Sequence, residues 1–439
     1  MKSPNLGRVS EVHCARGGPG KKPGGGQSRR EQKKYLRRRF AFRPRQLNLP
    51  ILIPALLMLF FATSGARGMA AESFQTSCPH AILIDAATGS VLFEKDADAL
   101  VAPASTAKIM TAEVVFHELA EGHIKLDNEF LVSETAWRYG GAPARGSAMF
   151  AKPNSQVRVE DLIRGLVIVS GNDAAIALAE GLAGSEGAFA TLMTKRAREL
   201  GFEHLTFTNA WGRGDPEQKV TAREMAVLAG HVITAYPDLY KYFGEKEFTW
   251  NKIRQTSRNP LLTMDIGADG LKTGNIDEKS GYGIVGSAVQ NGQRLILALY
   301  GCRNAKERAE EARKILLWGF RSFESKTIFQ AGETIGTAKV YGGTRPDVPL
   351  VADGEVKILI PKTTAEKFTG RIVYTGPIVA PVEAGKTAAR LKIFRGSEQI
   401  LDLPLKTAEA VAQGPLHRRA ADAGVEFMSG LFRKYVLKK

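Results

Sequence analysis

The chain has 439 residues, 44% of them hydrophobic, which is length enough for two to three domains and excludes wholesale disorder. Its formal net charge of +16 is uneven: residues 1–48 hold 14 Lys/Arg against Glu11 and Glu31, whereas residues 71–439 hold 46 Lys/Arg against 43 Asp/Glu. The excess belongs to a tail and does not mark the folded part as binding nucleic acid, and three cysteines cannot staple a disulfide scaffold.

Residues 1–70 read as a basic tail and an export signal. Leu49–Thr63 is an uncharged apolar run broken by Pro50 and Pro54, short of the roughly 20 residues of a spanning helix, and small residues follow at Gly68-Met69-Ala70. Export with cleavage near Ala70 is the expectation, and the long basic stretch ahead of the run leaves open a start downstream of Met1. Arg37-Arg38-Arg39-Phe40 is a faint twin-arginine pattern in a stretch rich in Arg. Gly17–Gly26 lacks the spacing of a phosphate loop and reads as low-complexity tail. Cys14 would leave with the signal. Cys78 and Cys302 remain, and the sequence leaves their pairing open. No cysteine directly follows the apolar run, so a lipid anchor there has no support.

Ala81–Glu94 reads as a hairpin turning at Thr88-Gly89. Ser105–Gly122 has helical spacing, with Ile109, Met110, Val114, Val115 and Leu119 on one face. Asp161–Gly201 is rich in helix, and Thr221–Ala235 is a helix with a Thr cap. Leu271–Gly274, Gly283–Val289 and Leu295–Gly301 look like strands, the last two joined at Asn291-Gly292, and Lys306–Phe323 is a charged helix. From about residue 326 to 408 the texture becomes short alternating runs cut by Gly, Pro and Asp, the pattern of a small antiparallel β domain. A linker near Gln413-Gly414-Pro415 leads to Arg418–Lys439, where Val425, Met428, Leu431, Phe432, Tyr435 and Val436 recur at helical spacing beside Arg433, Lys434, Lys438 and Lys439. That suits a helix lying in an anionic membrane surface; the plainer reading is a helix docked on its own protein.

Three short motifs carry chemistry. Ser105-Thr106-Ala107-Lys108 sits at an expected helix start, where a three-residue spacing lets the Lys amine reach the Ser hydroxyl. Ser170-Gly171-Asn172 offers a hydroxyl and an amide, and Lys272-Thr273-Gly274 offers a second cation on a strand whose glycine admits a substrate backbone. Each alone is weak. In this order they resemble the penicillin-recognising serine acyl enzymes. PASTAKIMTAE, GSAMF, VEDLIRGLVIVSGNDAAIALAE, FTNAWG, TAREMA, EKEFTWNK and GADGLKTG narrow the resemblance to low-molecular-mass D-alanyl-D-alanine carboxypeptidases, the peptidase S11 family.

The resemblance implies an α/β catalytic region over 71–325 of the serine β-lactamase/transpeptidase-like kind, an antiparallel sheet flanked by helices with a helical subdomain. A small antiparallel β-sandwich over 326–408 and a linker with an amphipathic helix over 409–439 complete it. It implies removal of the terminal D-Ala from peptidoglycan stem pentapeptides through an acyl-serine, with β-lactams as covalent inhibitors. Ser105 would be the nucleophile and Lys108 its base. Ser170 and Lys272 would carry the proton to the leaving amine, and Asn172 would orient the substrate. Thr273 and Arg308 would bind the terminal carboxylate, although Arg308 equally suits a solvated helix face. Gly274 would admit the substrate strand, and main-chain N–H groups of Ser105 and Asn275 would form the oxyanion hole. It implies no cofactor and no metal, a periplasmic enzyme, and peripheral attachment to the inner membrane. Ala107 and Asn275 stand where many relatives have Thr and His.

Endopeptidase or transpeptidase action on the same peptides stays open. A class A β-lactamase would need a Glu for deacylation, and the closest candidate, Glu217, lacks the Asn that should follow it. A non-catalytic wall-binding protein would predict a broken motif, and all three are intact. Gly281–Gly286 matches G-x-G-x-x-G but precedes strand rather than helix, and His117 and His123 lack a metal-binding context.

Overall fold

The structure is a computed structural model and describes residues 8–12, 74–275, 281–362 and 367–435. The apolar run Leu49–Thr63, Gly68–Ala70, Cys14 and the Gly17–Gly26 and Arg37–Phe40 stretches lie outside these residues, as do Val436, Lys438 and Lys439. Within 1–70 one element is described, strand β1 (Arg8–Val12), which a reading of that stretch as tail and signal did not anticipate.

The first hairpin forms as expected from β2 (His80–Asp85) and β3 (Val91–Lys95). Its turn closes because Gly89 takes a φ of +69° and donates its N–H to the Asp85 carbonyl, while Thr88 donates both its N–H and its hydroxyl to the Asp85 carboxylate. A 3-10 turn, Ala104–Ala107, then leads into α1 (Lys108–Ala120). The spacing predicts one apolar face, yet every residue from Lys108 to Phe116 is buried. The reason is position: α1 is a central helix, in contact with α2 (Val159–Val167), α3 (Asn172–Ala183), α4 (Glu186–Glu199), α5 (Ala222–Ala235) and the sheet. Between α1 and α2 lie the paired short strands β4 (Glu129–Leu131) and β5 (Gln156–Arg158). The Thr221 cap of α5 is present, its hydroxyl accepting from Glu224 N at 3.1 Å.

After the short α6 (Pro237–Tyr240) and the hairpin of β6 (Glu247–Trp250) and β7 (Ile253–Thr256) come β8 (Ala268–Asn275), β9 (Tyr282–Gln290), β10 (Gln293–Cys302) and α7 (Ala305–Ser322). The main sheet has the order β3-β2-β10-β9-β8, antiparallel throughout. Asn291 and Gly292 have φ of +49° and +76°, the two left-handed residues that a two-residue hairpin requires. Side chains alternate across the sheet: Ile82, Ile84, Ile296 and Ala298 join the main core with α1 and α5, while Leu83 and Leu295 lie against Gly319 of α7. The Gly281–Gly286 stretch runs into β9 and forms no strand-to-helix turn.

Cys78 and Cys302 form a disulfide with Cα atoms 4.6 Å apart, settling what the sequence left open. Antiparallel pairing of β2 with β10 sets His80 against Tyr300. The same register, continued two residues outward, brings Cys78 opposite Cys302.

Helix α7 passes directly into β11 (Phe323–Phe329), the first strand of a second, β-rich region with its own core. There β12 (Gly336–Tyr341), β13 (Asp347–Val351), β14 (Val356–Pro361), β15 (Phe368–Tyr374), β16 (Ile378–Val379), β17 (Thr387–Arg395) and β18 (Glu398–Thr407) follow. One sheet runs β1-β15-β17-β18-β13-β12-β16, and β11 pairs with β14 in a second. Val356 and Ile358 of the small sheet share a core with Leu350, Ile372, Leu391 and Leu405 of the large one. A last helix, α8 (Leu416–Tyr435), starts where Arg418 donates to the Thr344 carbonyl and the Asp422 carboxylate accepts from Gly342 N. Leu416, Val425, Phe427 and Met428 on it are exposed. Among the described residues no helix is long and apolar enough to cross a membrane.

Candidate active site

The three motifs come from separate elements and meet at one place. Ser105 is the second residue of the 3-10 turn, so it projects just ahead of α1, and Lys108 opens that helix fully buried. The Lys108 amine lies 3.1 Å from Ser105 Oγ, 2.8 Å from Asn172 Oδ1 and 2.8 Å from the Trp211 carbonyl. Three acceptors around one nitrogen decide what it can do. A neutral amine has two N–H bonds and one lone pair; with Asn172 and Trp211 each accepting one N–H, the lone pair faces the Ser105 hydroxyl.

Burial drives Lys108 well below the ordinary lysine range and the neighbouring Lys272 pushes the same way, with Asp173 and Glu186 opposing. Lys272, on β8, is likewise buried; its amine donates to Ser170 Oγ at 2.9 Å and to the Thr273 carbonyl at 3.0 Å. Burial first, then the Arg308 and Arg258 charges, lower it to about 7. Ser170 holds a left-handed φ of +64° at the tight corner between α2 and α3, which aims its hydroxyl at Lys272. Thr273 donates its hydroxyl to the Arg258 carbonyl at 3.3 Å.

Two glycines let these elements close in. A Cβ on Gly274 would sit 2.9 Å from the Pro103 carbonyl oxygen and 3.3 Å from Ser105 N, so β8 lies directly against the turn that carries Ser105. Gly212, at φ +86°, faces the same turn from the other side, where a Cβ would fall 1.8 Å from the Ala104 carbonyl oxygen. Asn275 ends β8, exposed and opposite Tyr282.

Arg308 differs from the solvated-face alternative that its charged helix suggested. It is buried, its guanidinium lies 5.8 Å from the centre of the Tyr282 ring, and its Nε has no hydrogen-bond partner among the described residues. Burial lowers its pKa from the usual arginine value. A buried cation with an unused donor is prepared to receive an anion.

Sequence reasoning assigned no role to the groups behind these. The Asn209 side-chain oxygen accepts from the N–H groups of Trp211, Gly212 and Arg213, shaping the loop that offers the Trp211 carbonyl, and the Glu186 carboxylate accepts from Ala210 N. Asp173 accepts from Met149, Ala151 and Ala174 N–H groups, tying the 149–151 loop to the start of α3. The signal was an Asn two residues before a Trp-Gly pair, and an Asp in the first turn of a helix. Glu217, the deacylating base that a β-lactamase reading would require, is exposed in the turn after Asp215.

Known proteins resemble this chain over most of its length. A family model described as D-alanyl-D-alanine carboxypeptidase matches residues 67–304, and one described as penicillin-binding protein 5, C-terminal domain, matches residues 323–413. The D-alanyl-D-alanine carboxypeptidase DacC of Escherichia coli (strain K12) is 38% identical over 84% of this chain and 92% of its own length. Haemophilus influenzae DacA, of the same name, is 35% identical over 80% of this chain and 89% of its own. Among solved structures, penicillin binding protein 5 from Haemophilus influenzae superposes with a TM-score of 0.71 at 34% identity, covering 78% of this chain and 99% of that one.

Proposed function

Since the chain belongs to the D-alanyl-D-alanine carboxypeptidase family and is a serine-type enzyme of that activity, we propose that Ser105 is its nucleophile and Lys108 the base that activates it. The observation that carries this reading is the Lys108 amine, held by two other acceptors so that its lone pair meets Ser105 Oγ. Ser105 Oγ attacks the carbonyl carbon of the D-Ala–D-Ala bond at the end of a peptidoglycan stem peptide while Lys108 takes the hydroxyl proton. The oxyanion enters the N–H groups of Ser105 and Asn275, where one such donor contributes about 3–4 kcal/mol to the barrier. Lys272 and Ser170, already hydrogen-bonded, pass a proton to the departing amine. Asn172 orients the substrate amide, Gly274 admits its backbone, and Thr273 with Arg308 holds the terminal carboxylate. Water, activated in turn by Lys108, releases the acyl group.

Penicillins carry an acyl bond that mimics the dipeptide, so they should be trapped on the same serine. Labelled penicillin is expected to attach to the wild type and not to Ser105→Ala; equal labelling of the two would place the nucleophile elsewhere. Incubation with a stem pentapeptide should release free D-Ala, and accumulation of a cross-linked dimer instead would favour the transpeptidase alternative.

The reading extends to location. An export signal within 1–70, a catalytic region over 71–325, a β-sandwich over 326–408 and a terminal helix over 409–439 describe a periplasmic enzyme. A disulfide between Cys78 and Cys302 suits an oxidising compartment. The exposed Val425, Phe427 and Met428 on α8, with four cations in the last seven residues, suit attachment to the anionic face of the inner membrane.

A further inference from the structure

Next to the turn and the strand end that carry Arg308 and Tyr282 lies a cluster that no step of the reaction uses. Cys302, at the end of β10, pairs with Tyr282 on β9, the ring against which Arg308 rests. Its disulfide partner Cys78 is preceded by Ser77, whose hydroxyl donates to Glu307 Oε1 at 2.7 Å. Glu307 adjoins Arg308 on the first turn of α7 and is itself buried. It accepts from three donors of Arg303: the backbone N–H at 2.6 Å, Nε at 3.0 and 3.1 Å to its two oxygens, and Nη2 at 2.8 Å. These donors hold its carboxyl down at about 2, so it is a carboxylate wherever the enzyme works. The Asn304 side chain caps the same turn by accepting from Glu307 N at 2.9 Å, and Arg308 N donates to the Asn304 carbonyl.

One covalent link and one ionic knot therefore fix both surfaces that locate Arg308, the first turn of α7 and the Tyr282 end of β9. A guanidinium that must stay buried with a free donor cannot find its own place by hydrogen bonding, and its neighbours have to impose it. We propose that the Cys78–Cys302 disulfide and the Ser77–Glu307–Arg303 cluster are a positioning device that holds Arg308 for the substrate's terminal carboxylate, so that Cys78, Cys302, Ser77 and Glu307 set affinity for carboxylate-ended peptides without entering the chemistry. This rests on Arg308 being the carboxylate ligand.

The test compares a D-Ala-D-Ala peptide acid with the same peptide as its C-terminal amide, on the full exported chain. Cys78→Ser with Cys302→Ser should raise KM for the acid about tenfold, the scale of loss from a small misplacement of a binding group, while kcat and the constants for the amide stay nearly unchanged. Ser77→Ala, an exposed position, should do the same more weakly and guards against a cysteine variant that fails to fold. In an Arg308→Ala background the cysteine changes should add nothing. A fall in kcat shared equally by acid and amide would mean a general structural role and overturn the proposal. So would an unchanged acid-to-amide ratio in both the cysteine and Ser77 variants when Arg308→Ala abolishes that ratio, and so would free thiols at Cys78 and Cys302 in the exported protein. If Arg308→Ala itself leaves the ratio intact, the carboxylate assignment fails first and takes the positioning role with it.

Discussion

Two buried lysines 164 residues apart in the chain, Lys108 and Lys272, lie close together at the candidate site, and burying them opposes folding. An unfolded lysine keeps its proton up to about 10.5, whereas folded Lys272 releases it at about 7, so between those values the unfolded chain binds more protons. The opposition is complete below pH 7 and fades as pH rises towards 10.5. Replacing Lys272 by Met removes it. The variant is expected to be inactive but more stable at pH 7, with the advantage shrinking through this window by up to about 1.4 kcal/mol per pH unit. Denaturant unfolding at pH 7, 8 and 9 measures this, and a constant difference would refute it. At this scale the meeting of Ser105, Lys108, Ser170, Asn172 and Lys272 was legible, because each motif couples a residue type to a spacing. The fate of Arg308 was not: a helix crowded with Lys, Arg and Glu gives no sign of which cation turns inward. Nor was the Trp211 carbonyl, since a backbone acceptor leaves no trace in residue identity.

Among the elements, hairpins and capped helices followed from local rules, as the Thr88-Gly89 and Asn291-Gly292 turns and the Thr221 cap show. What local rules missed was environment. Helix α1 reads as one-sided yet is buried all along its first nine residues, because burial depends on how many neighbours surround a helix. The cysteine pairing was hidden for a similar reason: it follows from the β2–β10 register, which joins strands about two hundred residues apart. The loop from Asn209 to Arg213 behaves as an element in its own right, packed so closely on the Ala104–Ala107 turn that only glycine fits at 212. Gly212→Ala should cost about 1–2 kcal/mol from its left-handed backbone alone. The clash with the Ala104 carbonyl should displace Ser105 as well. Penicillin acylation is expected to fall at least about tenfold while secondary structure by circular dichroism is kept. Unchanged acylation would show that the turn does not depend on this contact.

For the whole molecule, two hydrophobic cores joined where α7 runs into β11 explain how one chain carries both a reaction centre and a separate β-rich part. The two parts touch where Ser90, in the first hairpin, donates its hydroxyl to the Ile400 carbonyl of β18. Removing 418–439 deletes most of α8, whose described contacts with the rest are confined to its first two turns. The truncated enzyme is expected to keep its activity on soluble peptides and to move from the membrane to the soluble fraction. Unchanged fractionation would remove α8 as the anchor.

The link between Cys78 and Cys302 also makes the catalytic part a covalent ring of more than two hundred residues. Ser105, Lys108, Ser170, Asn172 and Lys272 all lie inside it, so a single proteolytic cut in any loop between them leaves the pieces tied at the ends of β2 and β10. Closing a ring of that size also removes freedom from the unfolded chain worth about 5 kcal/mol on a chain-entropy account. Nicking and unfolding of the catalytic part are thereby opposed by the same two sulfur atoms.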